Sequence, residues 1–178
     1  MRWFWLDRFE EFVRGKYAVT IKNVTVSDEP VDEYSPGRPY FPASLIIEAL
    51  AQTGGLLISQ LDDFKKRVVL AKIGSSQFYF QAEPGDRLRL RADIVSLQPN
   101  GAIATGTVHV DDRLLMQAEL AFAYLDDRFK GIELFEPANF CRTLRLMKLF
   151  DVAQDEQGNP IQVPTHLLEA EQAQLSSV

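Results

Sequence analysis

The chain reads Tyr34-Ser-Pro-Gly-Arg-Pro-Tyr-Phe-Pro-Ala-Ser-Leu-Ile-Ile-Glu-Ala-Leu-Ala-Gln52 where a loop rich in proline and glycine runs into an apolar segment. From about Ser44 to Gln60 almost every residue is apolar or small, which predicts a helix buried on nearly all of its faces. Its polar residues Ser44, Glu48 and Gln52 are spaced four apart, so they align along one narrow line of that helix. The pattern therefore places a single carboxylate, Glu48, facing either water or a cleft in the core.

Length and composition exclude several classes of protein. A chain of 178 residues is sufficient for one domain of ordinary size with a tail. With 25 acidic and 19 basic residues, the chain lacks the cationic excess that nucleic-acid binding requires. One cysteine, Cys141, excludes an internal disulfide, and the distant His109 and His166 form no recognisable zinc or iron motif. We therefore expect no metal and no cofactor.

The first residues of the chain are apolar only briefly before charged residues interrupt them. Such a segment is too short for a signal peptide or a membrane span, so a cytoplasmic location is the expectation.

The period of the sequence changes from helical to two-fold after the apolar segment, which predicts β-strands. We expect strands at 67–73, 76–82, 86–97, 102–110 and 113–125, with another at 17–26 before the helix. Turn residues separate them at Gly74-Ser75, Pro84-Gly85-Asp86, Pro99-Asn100-Gly101 and Asp111-Asp112. The result is an α+β fold, an antiparallel sheet of about six strands wrapped round one long central apolar helix. Since one sheet covers only one side of the helix, a second copy of the chain is expected to cover the other, giving a homodimer.

Two motifs carry a resemblance to a known family. The run Pro36-Gly-Arg-Pro39, Pro42, Leu45-Ile46, Glu48-Ala49 and Ala51-Gln52 resembles the signature of the 3-hydroxyacyl-acyl carrier protein dehydratases of fatty acid synthesis, and Ala82-Glu-Pro-Gly-Asp86 resembles their second characteristic segment. The resemblance covers roughly residues 5–126 and implies a hot-dog fold, a dimer whose two sheets join, and an acyl tunnel at the subunit interface. It also implies larger assemblies of dimers in some members. Residues 127–178 then form a C-terminal extension.

The resemblance also implies the site. The catalytic glutamate corresponds to Glu48, and the position of the family's catalytic histidine holds Tyr34 at the same spacing. The residues that would hold the substrate are Gly37, Pro42, Ala43, Ser44 and Gln52. Ala43 stands where the family usually has a glycine, at the start of the helix, where backbone amides hold the thioester oxygen.

The replacement of the histidine matters because dehydration of a 3-hydroxyacyl thioester needs both a base and an acid. A tyrosine is ionised to only about one part in a thousand at pH 7, so it is a poor base. A carboxyl group buried among apolar residues favours its neutral, proton-donating form, which suits Glu48 as the acid.

Four interpretations of the site follow. Tyr34 acts as a hydrogen-bond donor while Glu48 transfers the protons, the base comes from elsewhere, or the chain is a non-catalytic acyl-binding or partner subunit. Alternatively, the protein is a hot-dog thioesterase in which Glu48 activates water.

Cations suggest where a partner binds. Arg87, Arg89 and Arg91 alternate with leucines, so three guanidinium groups share one face of a strand. With the cluster Lys65-Lys66-Arg67 they would suit an acidic acyl carrier protein or the phosphates of a coenzyme A thioester. The alternative is the solvated face of an edge strand.

The ends of the chain have their own patterns. Residues 137–150 predict a short basic amphipathic helix that packs on the body or on a partner. Beyond Asp151 the sequence becomes polar, which predicts a loop, a weak helix near 167–173 and a frayed end. At the other end, Trp3-Phe4-Trp5 predicts a packed anchor.

Overall fold

The computed structural model describes residues 4–28, 37, 39–125 and 135–176. Its strands are β1 (Arg8–Val13), β2 (Tyr17–Asn23), β3 (Val68–Phe78), β4 (Arg87–Gln98), β5 (Gly101–Val110), β6 (Arg113–Tyr124) and β7 (Ala153–Gln154). Its helices are α1 (Ala43–Gln60), α2 (Pro137–Leu146), α3 (Leu149–Val152) and α4 (Thr165–Leu175).

These strands form one sheet in the order β3-β6-β5-β4-β2-β1-β7. Every pairing is antiparallel except that of β1 with β7. In the described part of the chain β3 has one neighbour, β6, and its residues 71–77 are exposed. The sheet therefore has one open edge at β3, while β7 covers part of the edge at β1.

The central helix α1 lies across the sheet as the sequence predicts. Gly106 on β5 lets the helix approach, because a Cβ atom there would lie 2.6 Å from Leu50 Cδ2. A buried hydrogen bond joins the two layers, with the hydroxyls of Thr20 and Thr53 2.7 Å apart and Thr53 donating to the Ala49 carbonyl at 2.9 Å. The pattern of the apolar segment thus fixes the position of Glu48 relative to the sheet.

Several strand predictions need correction. The strands predicted on either side of Gly74-Ser75 are one continuous strand, β3, with register shifts between Leu70 and Lys72 and between Ile73 and Ser75. β1 was not predicted, because a bulge between Phe9 and Glu11 breaks its two-residue period. The hairpin after β4 forms, but Gly101 starts β5 without a positive φ. A glycine suits that position because a Cβ would lie 2.0 Å from the Phe122 carbonyl oxygen.

The C-terminal extension packs on the body of the same chain. Cys141, Leu144 and Leu149 have no exposed surface, and the Phe9 N–H donates to the Met147 carbonyl at 2.8 Å. The predicted helix at 137–150 divides in two because Lys148 adopts a left-handed conformation, with φ of 58°. The predicted terminal helix is longer, extending over α4, and β7 pairs with β1 where a loop was expected. The domain boundary at residue 126 lies beside residues outside the described ranges, so it stays a prediction.

Candidate functional site

Glu48 is held in place by a neighbouring amide on α1. Gln52 Nε2 donates to Glu48 Oε1 at 2.9 Å, and Gln52 Oε1 accepts from the Trp5 backbone N–H at 2.8 Å. Glu48 is half-buried. Two of the three polar residues predicted to align on the helix, Glu48 and Gln52, thus form a hydrogen-bonded pair, and the N-terminal segment anchors it.

The pair faces a cavity of about 860 Å³. One face of α1 supplies Glu48, Ala51, Gln52, Gly55, Leu56 and Ser59, and other parts of the chain supply Phe4, Phe64, Phe122, Phe135, Phe140 and Leu167. Most of this wall is apolar and much of it is aromatic. Glu48 and Gln52 therefore face a cleft, one of the two possibilities that the sequence left open.

A second cavity, of about 490 Å³, lies at the start of α1. Pro42, Ala43 and Ser44 line it, and among the described residues no side chain caps the helix there. The predicted site residues are therefore divided, with Glu48 and Gln52 in the first cavity and these three in the second. Gly37 is exposed with φ of 75° and lines neither, and Tyr34 lies outside the described residues.

Besides Glu48, the first cavity is lined by other charged and titratable residues. His166, on α4, lines this cavity, whereas His109, on β5, does not. Lys65, Lys66 and Arg67 also line it, and both lysines are exposed. Sequence reasoning found the basic cluster but gave no reason to place His166 near Glu48.

The three arginines of β4 share a face, as predicted, but they already have anionic neighbours. Arg87 pairs with Glu10, Arg89 with Glu10 and Glu11, and Arg91 with Asp93. The Asp93 hydrogen bond raises the pKa of Arg91, which also stacks 3.9 Å from the Tyr17 ring. Because β4 lies inside the sheet, the alternative of an edge strand is wrong. Partner binding by these arginines stays a prediction.

Within the described ranges, no group of three or more His, Cys, Asp or Glu residues is placed to hold a metal ion. No helix in that part of the chain is long and apolar enough to cross a membrane.

Comparison with known proteins gives a family match. Residues 4–119 match the model of the FabA-like domain family. Over 118 residues the chain is 38% identical to the 3-hydroxyacyl-[acyl-carrier-protein] dehydratase FabZ of Clostridium acetobutylicum, which covers 66% of this chain and 84% of that protein. The match ends before the C-terminal extension.

Solved structures resemble the fold at lower sequence identity. The dehydratase heterocomplex ApeI:P from Xenorhabdus doucetiae aligns with a TM-score of 0.59 and 13% identity, over 70% of this chain and 84% of the other. A hypothetical thioesterase protein with coenzyme A from Streptococcus pneumoniae aligns with a TM-score of 0.55 and 13% identity, over 66% and 84%. At such identities the likeness concerns the fold alone.

Proposed function

Because this chain belongs to the FabA-like domain family and has the hot-dog fold, we propose that it binds 3-hydroxyacyl thioesters and eliminates water from them, as a dehydratase-like protein of fatty acid or related acyl-chain biosynthesis. The observation that carries the proposal is the half-buried Glu48 carboxyl, fixed by Gln52 in a large and mainly apolar cavity. An apolar wall suits an acyl chain, and a positioned carboxyl suits proton transfer.

The elimination breaks the C2–H and C3–O bonds of the substrate and forms a C2–C3 double bond. A base takes the C2 proton, and the C3 hydroxyl leaves as water after taking a proton from Glu48. Gln52 Nε2 then stabilises the Glu48 carboxylate through the hydrogen bond it already makes. The uncapped start of α1, at Ala43 and Ser44, is suited to hold the thioester oxygen as negative charge develops on it.

The position of the family's base holds Tyr34, which we infer to act as a hydrogen-bond donor. Glu48 would then begin as a carboxylate, take the C2 proton and return it to the leaving hydroxyl, and turnover would be slow because one group serves as both base and acid. A non-catalytic acyl-binding subunit would use the same cavity without turnover. The presence of His166 in the cavity supports the alternative that the base comes from another part of the chain.

We further propose that the working unit is a homodimer. The helix start and Glu48 lie in different cavities of one chain, and β3 offers an open edge for a second sheet. Phe78, the last residue of β3, lines the cavity at the helix start, and Val68, its first residue, lines the Glu48 cavity. Antiparallel pairing of two copies at β3 would therefore bring each helix start toward the partner's Glu48 cavity. The acyl carrier would be acyl carrier protein or coenzyme A, because the FabZ relative is an acyl-carrier-protein dehydratase and a structural neighbour holds coenzyme A.

Hydration of a medium-chain enoyl thioester on acyl carrier protein tests the proposal. We expect slow turnover by the wild type, an increase of about 10²- to 10⁴-fold in Tyr34→His, and loss of activity when Glu48→Gln is introduced into either protein. His109→Gln is the control, because His109 does not line the cavity. Turnover that survives Glu48→Gln would disprove the role of Glu48. If neither the wild type nor any variant is active, the proposed substrate is wrong.

His166→Gln separates the two sources of a base. If Tyr34 is only a hydrogen-bond donor and Glu48 transfers the protons, His166→Gln changes turnover by less than about threefold, well below the effect of removing a general base. A loss of about a hundredfold or more, with the binding of substrate retained, would assign the base to His166 instead.

A thioesterase is the second candidate, because Glu48 with Gln52 could position a water molecule beside a thioester held at the start of α1. In that reaction water adds to the thioester carbonyl and the free thiol leaves. Release of thiol from a saturated acyl thioester, lost in Glu48→Gln, would support it, since a saturated chain has no hydroxyl to eliminate.

A further inference from the structure

The Glu48 cavity follows one face of α1 for three turns. Glu48, Gln52, Gly55 and Ser59 line it at intervals of four, three and four residues, which places them on the same face of the helix. At a rise of 1.5 Å per residue, the line from Glu48 to Ser59 extends about 16 Å. A cavity of this shape suits a linear chain whose reacting carbons lie at Glu48.

Aromatic rings form a row along this cavity. Phe4 and Phe135 stack with ring centroids 5.5 Å apart, Phe135 and Phe140 stack at 4.8 Å, and Phe140 meets Phe64 edge-on at 5.5 Å. All four rings line the cavity, and Phe64 follows the end of α1. The row thus runs from the N-terminal segment, beside Gln52, to the end of the central helix.

Two of the four rings belong to the C-terminal extension. Phe135 and Phe140 lie beyond residue 119, where the match to the family ends. The helix that carries Phe140 is fixed by its fully buried Cys141 and Leu144, and an ion pair of 3.3 Å between Arg145 and Glu171 joins it to α4. The extension therefore adds a fixed wall to a cavity whose acid lies in the matched domain.

We propose that the C-terminal extension sets the length of the acyl chain that the protein accepts, with Phe135 and Phe140 as the specificity-determining residues. This inference rests on the proposed function, because it places the acyl chain along α1 with its thioester end at Glu48. The rings form a wall against which the hydrocarbon packs, and the space that they occupy is closed to a longer chain. The extension selects the substrate without taking part in the chemistry.

Two substitutions change the wall in opposite directions. Phe135 is 46% exposed, so Phe135→Ala removes a ring with little risk to folding. Gly55 is half-buried on the cavity face, and a Cβ there would lie 3.7 Å from its nearest neighbour, the Phe122 ring. Gly55→Leu therefore fits sterically at its Cβ and narrows the middle of the cavity. Leu146→Ala is the matched control, because Leu146 is a 53% exposed residue of α2 that does not line the cavity.

Binding of saturated fatty acids of increasing length, measured by displacement of a fluorescent fatty acid, tests the inference without turnover. Each methylene that is newly buried should raise affinity about fourfold, up to a limiting length. We expect this limit to move to longer chains in Phe135→Ala, to shorter chains in Gly55→Leu, and to stay unchanged in Leu146→Ala. The same order should appear in the rates with 3-hydroxyacyl thioesters.

The outcomes distinguish this inference from the proposed function. If the limiting length of fatty acids shifts but no thioester is turned over, the inference on length selection is supported and the proposed dehydratase activity is refuted. Turnover with no shift in either variant would do the reverse. A uniform change of affinity at every chain length in Phe135→Ala, or no binding of fatty acids at all, would overturn the inference, since the rings would then not limit the space open to a longer chain.

Discussion

Two glutamines on α1 occupy opposite environments. Gln52 uses its amide to hold Glu48 and to accept from Trp5. Gln60 has no exposed surface, and in the described part of the chain neither its Oε1 nor its Nε2 has a hydrogen-bond partner. A buried polar group without a partner reduces stability by about 1–3 kcal/mol.

The same substitution should therefore change stability in opposite directions at the two positions. We expect Gln60→Met to raise the free energy of unfolding by about 1 kcal/mol and Gln52→Met to lower it by a similar amount. Urea denaturation of both variants beside the wild type measures this. Loss of stability in Gln60→Met would instead mean that the buried amide has a partner, such as an enclosed water molecule.

At this scale the sequence predicted Glu48 and Gln52 as neighbours, because one helical period relates them. It could not predict the Trp5 contact, which joins residues distant along the chain and depends on how the N-terminal segment crosses α1. The carboxylates that pair with Arg87 and Arg89 lie on β1 and were missed for the same reason.

The helix α2, which carries Phe140, begins with an unusual cap. Glu136 accepts from the backbone N–H groups of Ala138 and Asn139 at 2.9 and 2.8 Å. These bonds lower the pKa of Glu136, and the bond from Ala138 has the largest effect. Since the folded protein favours the charged form, the cap contributes above the ordinary pKa of a glutamate and is lost as the pH falls through the lowered value.

Removal of the cap should show this pH dependence. At pH 7 we expect Glu136→Ala to lower the free energy of unfolding by about 1 kcal/mol. The difference from the wild type should shrink as the pH falls below about 4, because the wild-type carboxyl then becomes protonated and its cap is lost. Glu169→Ala, an exposed residue on α4, is the control. A difference that is independent of pH would show that packing, not the charged cap, is what the substitution removes.

Element boundaries were predictable where local chemistry determines them. The apolar run gave α1 almost to the residue, and Pro137 marks the start of α2. Gly74-Ser75 led to a wrong prediction of a turn, because the same residue types occur in turns between strands and inside a continuous strand. Pairing with β6 keeps β3 continuous there, and that pairing depends on residues far along the chain.

Across the whole molecule, the amphipathic pattern of residues 137–150 predicted that the extension packs somewhere. It could not predict that Phe140 lines the Glu48 cavity, because the pattern identifies the apolar face of a helix but not the surface on which that face packs. The stacking of Phe135 on Phe4 joins the C-terminal extension to the N-terminal segment, a contact that no local sequence pattern predicts. The sequence thus predicted the central helix and the place of Glu48 on it, but not the wall that faces them.

The assembly of two chains gives the last prediction. Ile73 is 42% exposed on β3, the strand at the open edge. If two copies join there, Ile73→Lys places a lysine on each side of a two-fold interface. Burial of the two charges, or repulsion between them, should then shift dimers to monomers. Val95→Lys is the control, because Val95 is 60% exposed on the interior strand β4.

Size-exclusion chromatography with light scattering measures the mass of each variant over a range of concentrations. We expect a dimer for the wild type and Val95→Lys, and a monomer for Ile73→Lys with an unchanged circular dichroism spectrum. The monomer should also lose turnover, because within one chain Ala43 and Ser44 lie in a different cavity from Glu48. A wild type that stays monomeric at high concentration, or a monomeric variant that keeps full turnover, would mean that one chain completes the site by itself.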